Sequence, residues 1–321
     1  MMIYKRKGFG LALALAFVLA GCMGSGGGGG AGGPTIDMTA VGSGGGTSEA
    51  DAYLLPGTMP AGTNGDMKDY FAQGGYWQVG YSKLQKDVFT NASYRSTFGS
   101  MYYNADADQW VLYVNSAPYT LSDNGAGIYE SSSGCYLSTS ACTAVDQYDD
   151  ATKDMYGTFA NAMHYDGSYK ASFITAHYGM LTADMPAGSA TFNGVFEGAA
   201  NDQTTFYAAA GTVTIDANFD TTDITLTGSG SVGTTGSFTL NGTGTISGNA
   251  YAGTTTAAVT FSSTHTEDAT YSGTMDGAFY GPSAVQTAGA VDAISAAAST
   301  LYMGVIPIEN NFVGGYWAEK Q

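Results

Sequence analysis

The sequence predicts an all-β protein whose C-terminal part is either a β-sandwich or a closed antiparallel barrel. From Ala190 onward apolar and polar residues alternate, as in TVTIDANF, where Val213, Ile215 and Phe219 share one face. Turn-forming stretches such as DTTD, GTTG and SGNAYAG separate these runs. Strands of even spacing joined by short turns predict a sandwich or a barrel, and closure would remove the exposed strand edges.

The predicted inward faces alternate large residues with glycine. The stretch TYSGTMDGAFY places Tyr271, Met275 and Phe279 on one face with two glycines between them, and TFNGVFEG repeats the pattern. In a small barrel this alternation fills a tapering interior with side chains. We therefore expect a packed core, since a lipocalin-like pocket would need more space.

The N-terminus carries the features of an exported lipoprotein. A basic head at residues 5–7 precedes the apolar run Gly8–Ala20, which is too short to span a bilayer and is typical of a secretory signal peptide. Leu19–Cys22 reads LAGC, like the bacterial lipobox, so we expect residues 1–22 to be a lipoprotein signal with lipid attached at Cys22. The alternative is an ordinary cleavage site near a cysteine. Met23 in place of an aspartate favours the outer membrane.

A Gly-rich stretch follows the lipidation site, and we assign residues 23–58 to a flexible tether. Chains of Gly, Ser, Thr and Ala bury too little apolar surface to offset the entropy of ordering. Such a coil would hold the body about 25 to 30 Å from the lipid surface. The other two of the three cysteines, Cys135 and Cys142, can close a small loop as a disulfide in an exported chain.

Charge excludes nucleic acid as a partner. The chain has 27 acidic and 10 basic residues, and three of the basic ones lie in the signal peptide. No Lys or Arg occurs between Lys170 and Lys320. Phosphate binding needs a basic footprint, which this body lacks. The acidity suits either a cationic partner or simple solubility through mutual repulsion.

Residues 59–186 form a Tyr-rich segment with less regular strand patterns. Strand candidates lie at Gly75–Lys83, Gln109–Asn115 and Tyr165–Ala176. Tyr and Trp beside Ser, Asn and Gly suit a recognition surface, because they give much contact area at little entropic cost. The alternative is that they are ordinary sheet residues chosen by β-propensity. The aromatic residues concerned are Tyr76, Trp77, Tyr102, Tyr103 and Trp110.

The stretch ATYSGTMDGAFYGPSAVQTAGAV, Ala269–Val291, resembles the closing motif of the barrel domains of transferrin-binding protein B. The most specific part is the run Phe279, Tyr280, Gly281, Pro282, and the resemblance extends over Ala187–Val291. It implies an eight-stranded antiparallel barrel over residues 187–321, preceded by a smaller handle-like β domain. It further implies a lipid-tethered surface protein of a Gram-negative bacterium that captures host proteins, iron carriers among them, and that a dedicated outer-membrane translocator can export.

Three features depart from that family. The chain has length for one lobe rather than two, and Gln286 stands where such barrels often carry an acid. The last stretch, LYMGVIPIENNFVGGYWAEKQ, shows only strand-like periodicity. No contacting loop can be mapped residue by residue, so architecture, location and a binding role are what the resemblance implies.

Candidate chemical residues are few. His164, His177 and His265 are scattered, without the spacing of a zinc site. NADADQW, 104–110, alternates oxygen ligands like the start of a calcium loop but lacks its glycine and later acid, and we interpret it as a hairpin turn. The acids Asp149, Asp150 and Asp154 could form a carboxylate site. We expect no cofactor, no metal and no enzyme activity.

The sequence therefore predicts an outer-membrane, cell-surface lipoprotein that binds a protein or small solute, with an iron or haem carrier as one class of ligand. A structural, shielding or adhesion protein without a specific ligand is the alternative. A lipocalin-like small-molecule carrier is a second alternative.

Overall fold

The computed structural model describes residues 67–68, 77–79, 81–87, 93–94, 99–104, 107–114, 117–123, 128–130, 142–150, 152–165, 170–201, 206–261, 269–295 and 311–321. They form one curled sheet followed by one closed barrel. The predicted signal peptide (1–22) and tether (23–58) lie outside the described residues.

Ten antiparallel strands form the N-terminal sheet, in the spatial order β1-β4-β5-β6-β7-β8-β9-β10-β2-β3. β1 and β2 are separated by one residue, yet β1 pairs with β4 and β2 pairs with β10. The sheet therefore curls back on itself. Its strands are β1 Trp77–Val79, β2 Tyr81–Asp87, β3 Ser93–Tyr94, β4 Gly99–Asn104, β5 Gln109–Val114, β6 Ala117–Asp123, β7 Ile128–Glu130, β8 Cys142–Tyr148, β9 Gly157–Tyr165 and β10 Lys170–Gly179.

Eight antiparallel strands close the C-terminal barrel, each paired with its neighbours in the chain, and β18 closes it against β11. They are β11 Ser189–Asn201, β12 Phe206–Asn218, β13 Asp223–Val232, β14 Gly236–Ser247, β15 Ala250–Thr260, β16 Ala269–Tyr280, β17 Gln286–Ser295 and β18 Asn311–Lys320. This confirms the predicted all-β fold with an eight-stranded C-terminal barrel. The alternative of a sandwich is wrong, because the first and last strands of the barrel pair.

Side chains from all eight strands fill the barrel. Phe196 stacks on Phe312 with ring centroids 5.2 Å apart, and Phe238 lies 5.1 Å from Phe312. Glycines make room for them, since a Cβ at Gly242 would lie 2.5 Å from the Met275 sulfur. The predicted packed interior is confirmed, and large rings facing glycines are the physical reason.

The outer wall of the barrel has two contrasting sides. On β13–β15 the outward positions are mainly exposed hydroxyl residues, which are compatible with strands and with water. We call this side the hydroxyl wall. Its residues are Thr225, Thr227, Ser229, Ser237, Thr239, Thr243, Thr245, Thr254, Thr256 and Thr260. On β17 and β18 the outward positions Ala288, Ala290 and Trp317 are buried. Small residues there allow β9 and β10 of the sheet to approach the barrel closely.

The sequence placed two strand boundaries wrongly. The predicted strand Tyr165–Ala176 is divided, because β9 ends at Tyr165 and β10 begins at Lys170. The predicted strand Gly75–Lys83 is likewise two strands with different partners. The NADADQW stretch is a hairpin turn as predicted, since Asn104 pairs with Gln109 across β4 and β5.

Candidate functional site

The run Phe279–Pro282 lies where the sheet meets the barrel. Phe279 points into the barrel, with its ring 5.2 Å from Tyr251 and 5.7 Å from Phe192. Tyr280 is the next residue on the strand and points outward to the sheet, where it is also fully buried. Two adjacent aromatic rings therefore anchor the barrel core and the contact between barrel and sheet. We call this contact the junction.

Tyr280 takes part in a buried three-residue network that crosses the junction. His177 on β10 lies 2.7 Å from the Tyr280 hydroxyl through Nδ1, and 3.2 Å from Asp276 Oδ2 through Nε2. A carboxylate oxygen accepts, so Nε2–H donates to Asp276, and in a neutral imidazole Nδ1 then accepts from the Tyr280 O–H. Burial, followed by nearby Tyr251 and Asp276, raises the pKa of Tyr280 well above its ordinary value. The Tyr280 phenol therefore keeps its proton and remains a donor.

Glycines allow the rings at the junction to sit against backbone. A Cβ at Gly157 would overlap the Tyr280 ring, and one at Gly281 would lie 2.6 Å from the Tyr156 ring. Gly281 also has φ +75°, a conformation that L side chains rarely adopt. Glycine is therefore needed at position 281 for two reasons, which are its backbone conformation and the Tyr156 ring beside it.

Gln286, at the start of β17, clamps the β8–β9 connection onto the barrel. Its Oε1 accepts from the backbone N–H groups of Tyr156 and Gly157 at 2.7 and 3.2 Å. Its Nε2 donates to the carbonyl oxygen of Asp154 at 2.7 Å. A carboxylate could accept both N–H bonds but could not donate to this carbonyl. The amide therefore suits this position better than the acid that the resemblance would place there.

We predict that Gln286→Glu lowers the free energy of unfolding by about 2 kcal/mol at neutral pH, because a buried carboxylate would then face the Asp154 carbonyl. Burial raises the pKa of such a carboxyl, and its protonated form can donate as the amide does. The loss relative to the natural chain should therefore shrink as the pH falls. Urea unfolding at several pH values measures this, with Gln286→Ala as a control whose deficit stays constant. A deficit for Gln286→Glu that grows on acidification would contradict the clamp.

A second polar cluster lies inside the barrel beside the junction. The Tyr251 hydroxyl lies 2.7 Å from Thr287 Oγ1, and Tyr316 donates to Tyr251 and to the backbone carbonyl of Asp276, each at 3.1 Å. Burial raises the pKa of Tyr251 above its ordinary range. These phenols are hydrogen-bonded to one another and to backbone. The cluster therefore connects strands β15 to β18.

The first described residues, Met67 and Lys68, lie beside the junction. Met67 N donates to the carbonyl of Met155 at 2.7 Å, and Lys68 Nζ lies 3.4 Å from Asp149 Oδ2. Burial raises the pKa of Asp149, while Lys68 opposes that shift. The Lys68 ammonium group thus partly neutralises the Asp149 carboxylate.

Aromatic side chains close the junction on its other edge. Tyr148 stacks on Phe159 with centroids 5.6 Å apart and lies 5.3 Å from Trp317. Lys153 sits 5.4 Å from the Trp317 ring and pairs with Glu319. Cation–π contact and ion pairing at a partly exposed site each add a modest amount. The sheet and barrel are therefore joined along the first part of β9, through Phe159 and through Asn161, which donates to the Glu197 carbonyl.

The structure describes only some of the other predicted site residues. Cys22 and Cys135 lie outside the described residues, and Cys142 begins β8, with no description of its side chain, so lipidation and the disulfide stay predictions. His164 lies on β9 opposite Thr143, whereas His265 is outside the described residues. Asp150 Oδ1 accepts from the Thr152 backbone N–H, and the Asp154 backbone carbonyl accepts from Gln286 Nε2. The three suspected acids thus contact Lys68, Thr152 and Gln286 respectively, the last through the backbone carbonyl of Asp154.

In the part of the chain that the structure describes, no three His, Cys, Asp or Glu side chains are grouped so as to hold a metal ion. Within the same residues no helix is both long and apolar enough to cross a bilayer.

Sequence patterns do not reveal the junction. His177 is one of three scattered histidines in the sequence, and Asp276 falls within a regular strand pattern. The available signal is an aspartate on the outward face of β16, in a run otherwise made of small and aromatic residues. Alternation alone does not show that this outward face is covered.

No family model matches the chain, and no curated protein matches it. Solved structures that match include a single-residue variant of transferrin-binding protein B from Haemophilus parasuis Hp5, with 16% identity over 76% of this chain and 45% of that one, and a TM-score of 0.45.

Two further matches are of the same kind. Intact Ap-TbpB, with its N and C lobes, shows 15% identity over 76% of this chain and 46% of its own, with a TM-score of 0.46. Isotype 1 transferrin-binding protein B from serogroup B Neisseria meningitidis shows 13% identity over 76% of this chain and 44% of its own, with a TM-score of 0.43. The chain thus spans less than half the length of these proteins.

Proposed function

We propose that the protein is an outer-membrane surface lipoprotein, anchored at Cys22, that captures a protein or small solute for uptake. An iron or haem carrier is the first ligand class to test. The role is one of binding rather than catalysis. The lipobox-like LAGC and the Gly-rich stretch support the anchoring part of this proposal.

The observation that carries the binding part is the filled barrel interior. Phe192, Phe196 and Phe312 are fully buried there, together with side chains of the remaining strands. An interior of this kind favours recognition on outer surfaces and connecting segments over a carrier that encloses its ligand. The lipocalin-like alternative is therefore the least supported of the three.

The sheet is the part we propose to carry the contact surface. Its strands are rich in Tyr and Trp, of which Trp110 and Tyr178 are buried and belong to the core rather than to a contact surface. The sheet is fixed to the barrel through His177, Asp276 and Gln286. A sheet held in this way presents its strands in a fixed arrangement, which lowers the entropic cost of binding.

A capture experiment tests the proposal. The chain from Thr47 onward, without lipid, is immobilised and exposed to serum proteins, to haem and to iron-loaded carriers, and bound material is identified by mass spectrometry. We expect one dominant, saturable partner. Replacing residues 131–141 by a short Gly-Ser linker should abolish its binding, whereas Thr239→Ala on the hydroxyl wall should not. Unchanged affinity after the replacement would refute this placement.

The second candidate is a shielding protein without a specific ligand. The hydroxyl wall of β13–β15 favours it, since exposed Thr and Ser hold water and, without basic residues, offer anionic surfaces no charge to bind. Absence of any saturable partner in the capture experiment would support this candidate over the first.

A further inference from the structure

The two ends of the barrel differ in what they are attached to. Antiparallel strands alternate in direction, so the connections 219–222, 248–249 and 281–285 lie at one end. The opposite ends of the strands lie at the other: Asn201, Phe206, Val232, Gly236, Thr260, Ala269, Ser295 and Asn311. We call these the turn end and the loop end.

The N-terminal segment reaches the body at the turn end. Met67 is hydrogen-bonded to Met155 and is 1% exposed. Met155 packs in one cluster with Leu181, Tyr280 and Ala250, of which the last two are the turn-end residues of β16 and β15.

A second contact fixes the same point independently. Lys68 pairs with the buried Asp149, at the start of the β8–β9 connection. That connection is clamped at Asp154 and Gly157 by Gln286, the turn-end residue of β17. Met67 and Lys68, the first described residues of the chain, therefore lie beside the turn end.

We propose that the protein is displayed with its turn end toward the membrane and its loop end directed outward. This rests on the proposed anchor at Cys22. The proposed tether, residues 23–58, would reach about 25 to 30 Å as a Gly-rich coil, which is close to the length of the barrel. The point of attachment then determines which end lies closer to the lipid on average.

Charge at the turn end keeps it from settling on the bilayer. Asp184, Asp220 and Asp223 are exposed there. Anionic headgroups repel such a surface within about a Debye length of 10 Å. This repulsion limits how closely the turn end approaches the lipid, whereas the attachment near Met67 makes it the nearer of the two ends. The loop end is then the part of the barrel that a molecule arriving from outside meets first.

Fluorescence energy transfer from the protein to the membrane tests the orientation. Full-length lipidated protein is reconstituted in vesicles of phosphatidylethanolamine and phosphatidylglycerol that contain a headgroup-labelled acceptor lipid. A donor dye is attached through Thr221→Cys at the turn end, Thr227→Cys in the middle of β13, or Thr234→Cys at the loop end. All three positions are exposed.

We expect quenching in the order Thr221, Thr227, Thr234. The two ends are separated by about 25 Å along the barrel axis, so the Thr221 donor should be quenched about twofold more strongly than the Thr234 donor. Equal quenching or the reverse order, on protein that is vesicle-bound, would refute the orientation and leave the proposed anchor standing.

The anchor has its own readout in the same samples. The mass of the N-terminal peptide reports the lipid, and Cys22→Ser should leave the protein unbound. If the natural chain carries no lipid, or if the Cys22→Ser protein binds vesicles equally well, the anchor and the orientation both fail.

Discussion

Phe312→Ala should lower the free energy of unfolding by about 3 to 5 kcal/mol, the range for a fully buried Phe whose cavity cannot collapse. Phe312 packs on Phe196, Phe238 and Tyr271, with ring centroids 5.1 to 6.2 Å away. Every one of these rings belongs to a different strand of a closed barrel. The wall cannot move inward without breaking strand pairing, so the cavity persists.

Chemical denaturation followed by tryptophan fluorescence measures this loss. Phe312→Leu is the matched control and should cost less than about 1.5 kcal/mol, because volume is nearly conserved. Phe219→Ala is the control for position, since Phe219 is only partly buried and contacts Phe279 from the turn end. A Phe312→Ala loss no greater than that of Phe219→Ala would contradict a rigid, filled interior.

Asp276→Ala should cost about 3 kcal/mol, because it removes the carboxylate from a buried network and leaves the His177 Nε2–H facing an empty space. Asp276 and His177 are 3% and 1% exposed, so bulk solvent does not reach the position of the lost acceptor in the natural fold. The network spans β10 and β16. The effect should therefore extend beyond the barrel to the contact with the sheet.

Asp276→Asn removes the negative charge of the side chain but keeps a hydrogen-bond acceptor. Its side-chain oxygen can still accept from His177, so the loss should be clearly smaller than for alanine. Asp223→Ala, at an exposed position on the same barrel, should change stability by less than about 0.5 kcal/mol. Hydrogen exchange should show loss of protection in β10 as well as β16 for Asp276→Ala. Protection lost in β16 alone would mean that the network does not couple sheet and barrel.

The barrel was the part most open to prediction from sequence. Period-two alternation in β13 and β14, such as Ile224 and Leu226 inward with Thr225 outward, follows directly from one wet and one packed face. β17 was harder, because all but two of its ten residues are buried. Its outward Ala288 and Ala290 face the sheet, so the alternation that signals a half-exposed strand is absent.

The junction could not be predicted in the same way. His177 and Asp276 are 99 residues apart in the chain, and nothing local to either specifies the other. Gln286 stands out in the sequence as a departure from a resemblance, but its role depends on the Asp154 carbonyl 132 residues earlier. Contacts of this separation depend on how the sheet curls, which is fixed by the pairing of β2 with β10 rather than by any short motif.

The position of β18 determines when the body can be completed during synthesis. This strand follows every other described strand in the chain, yet it supplies Phe312 and Tyr316 to the core and Trp317 to the junction, and it pairs with both β17 and β11. Until it emerges, the barrel has two open edges and the sheet has no complete surface to dock on. A chain that emerges from its N-terminus would therefore keep its barrel open until β18 is available to pair with both edges.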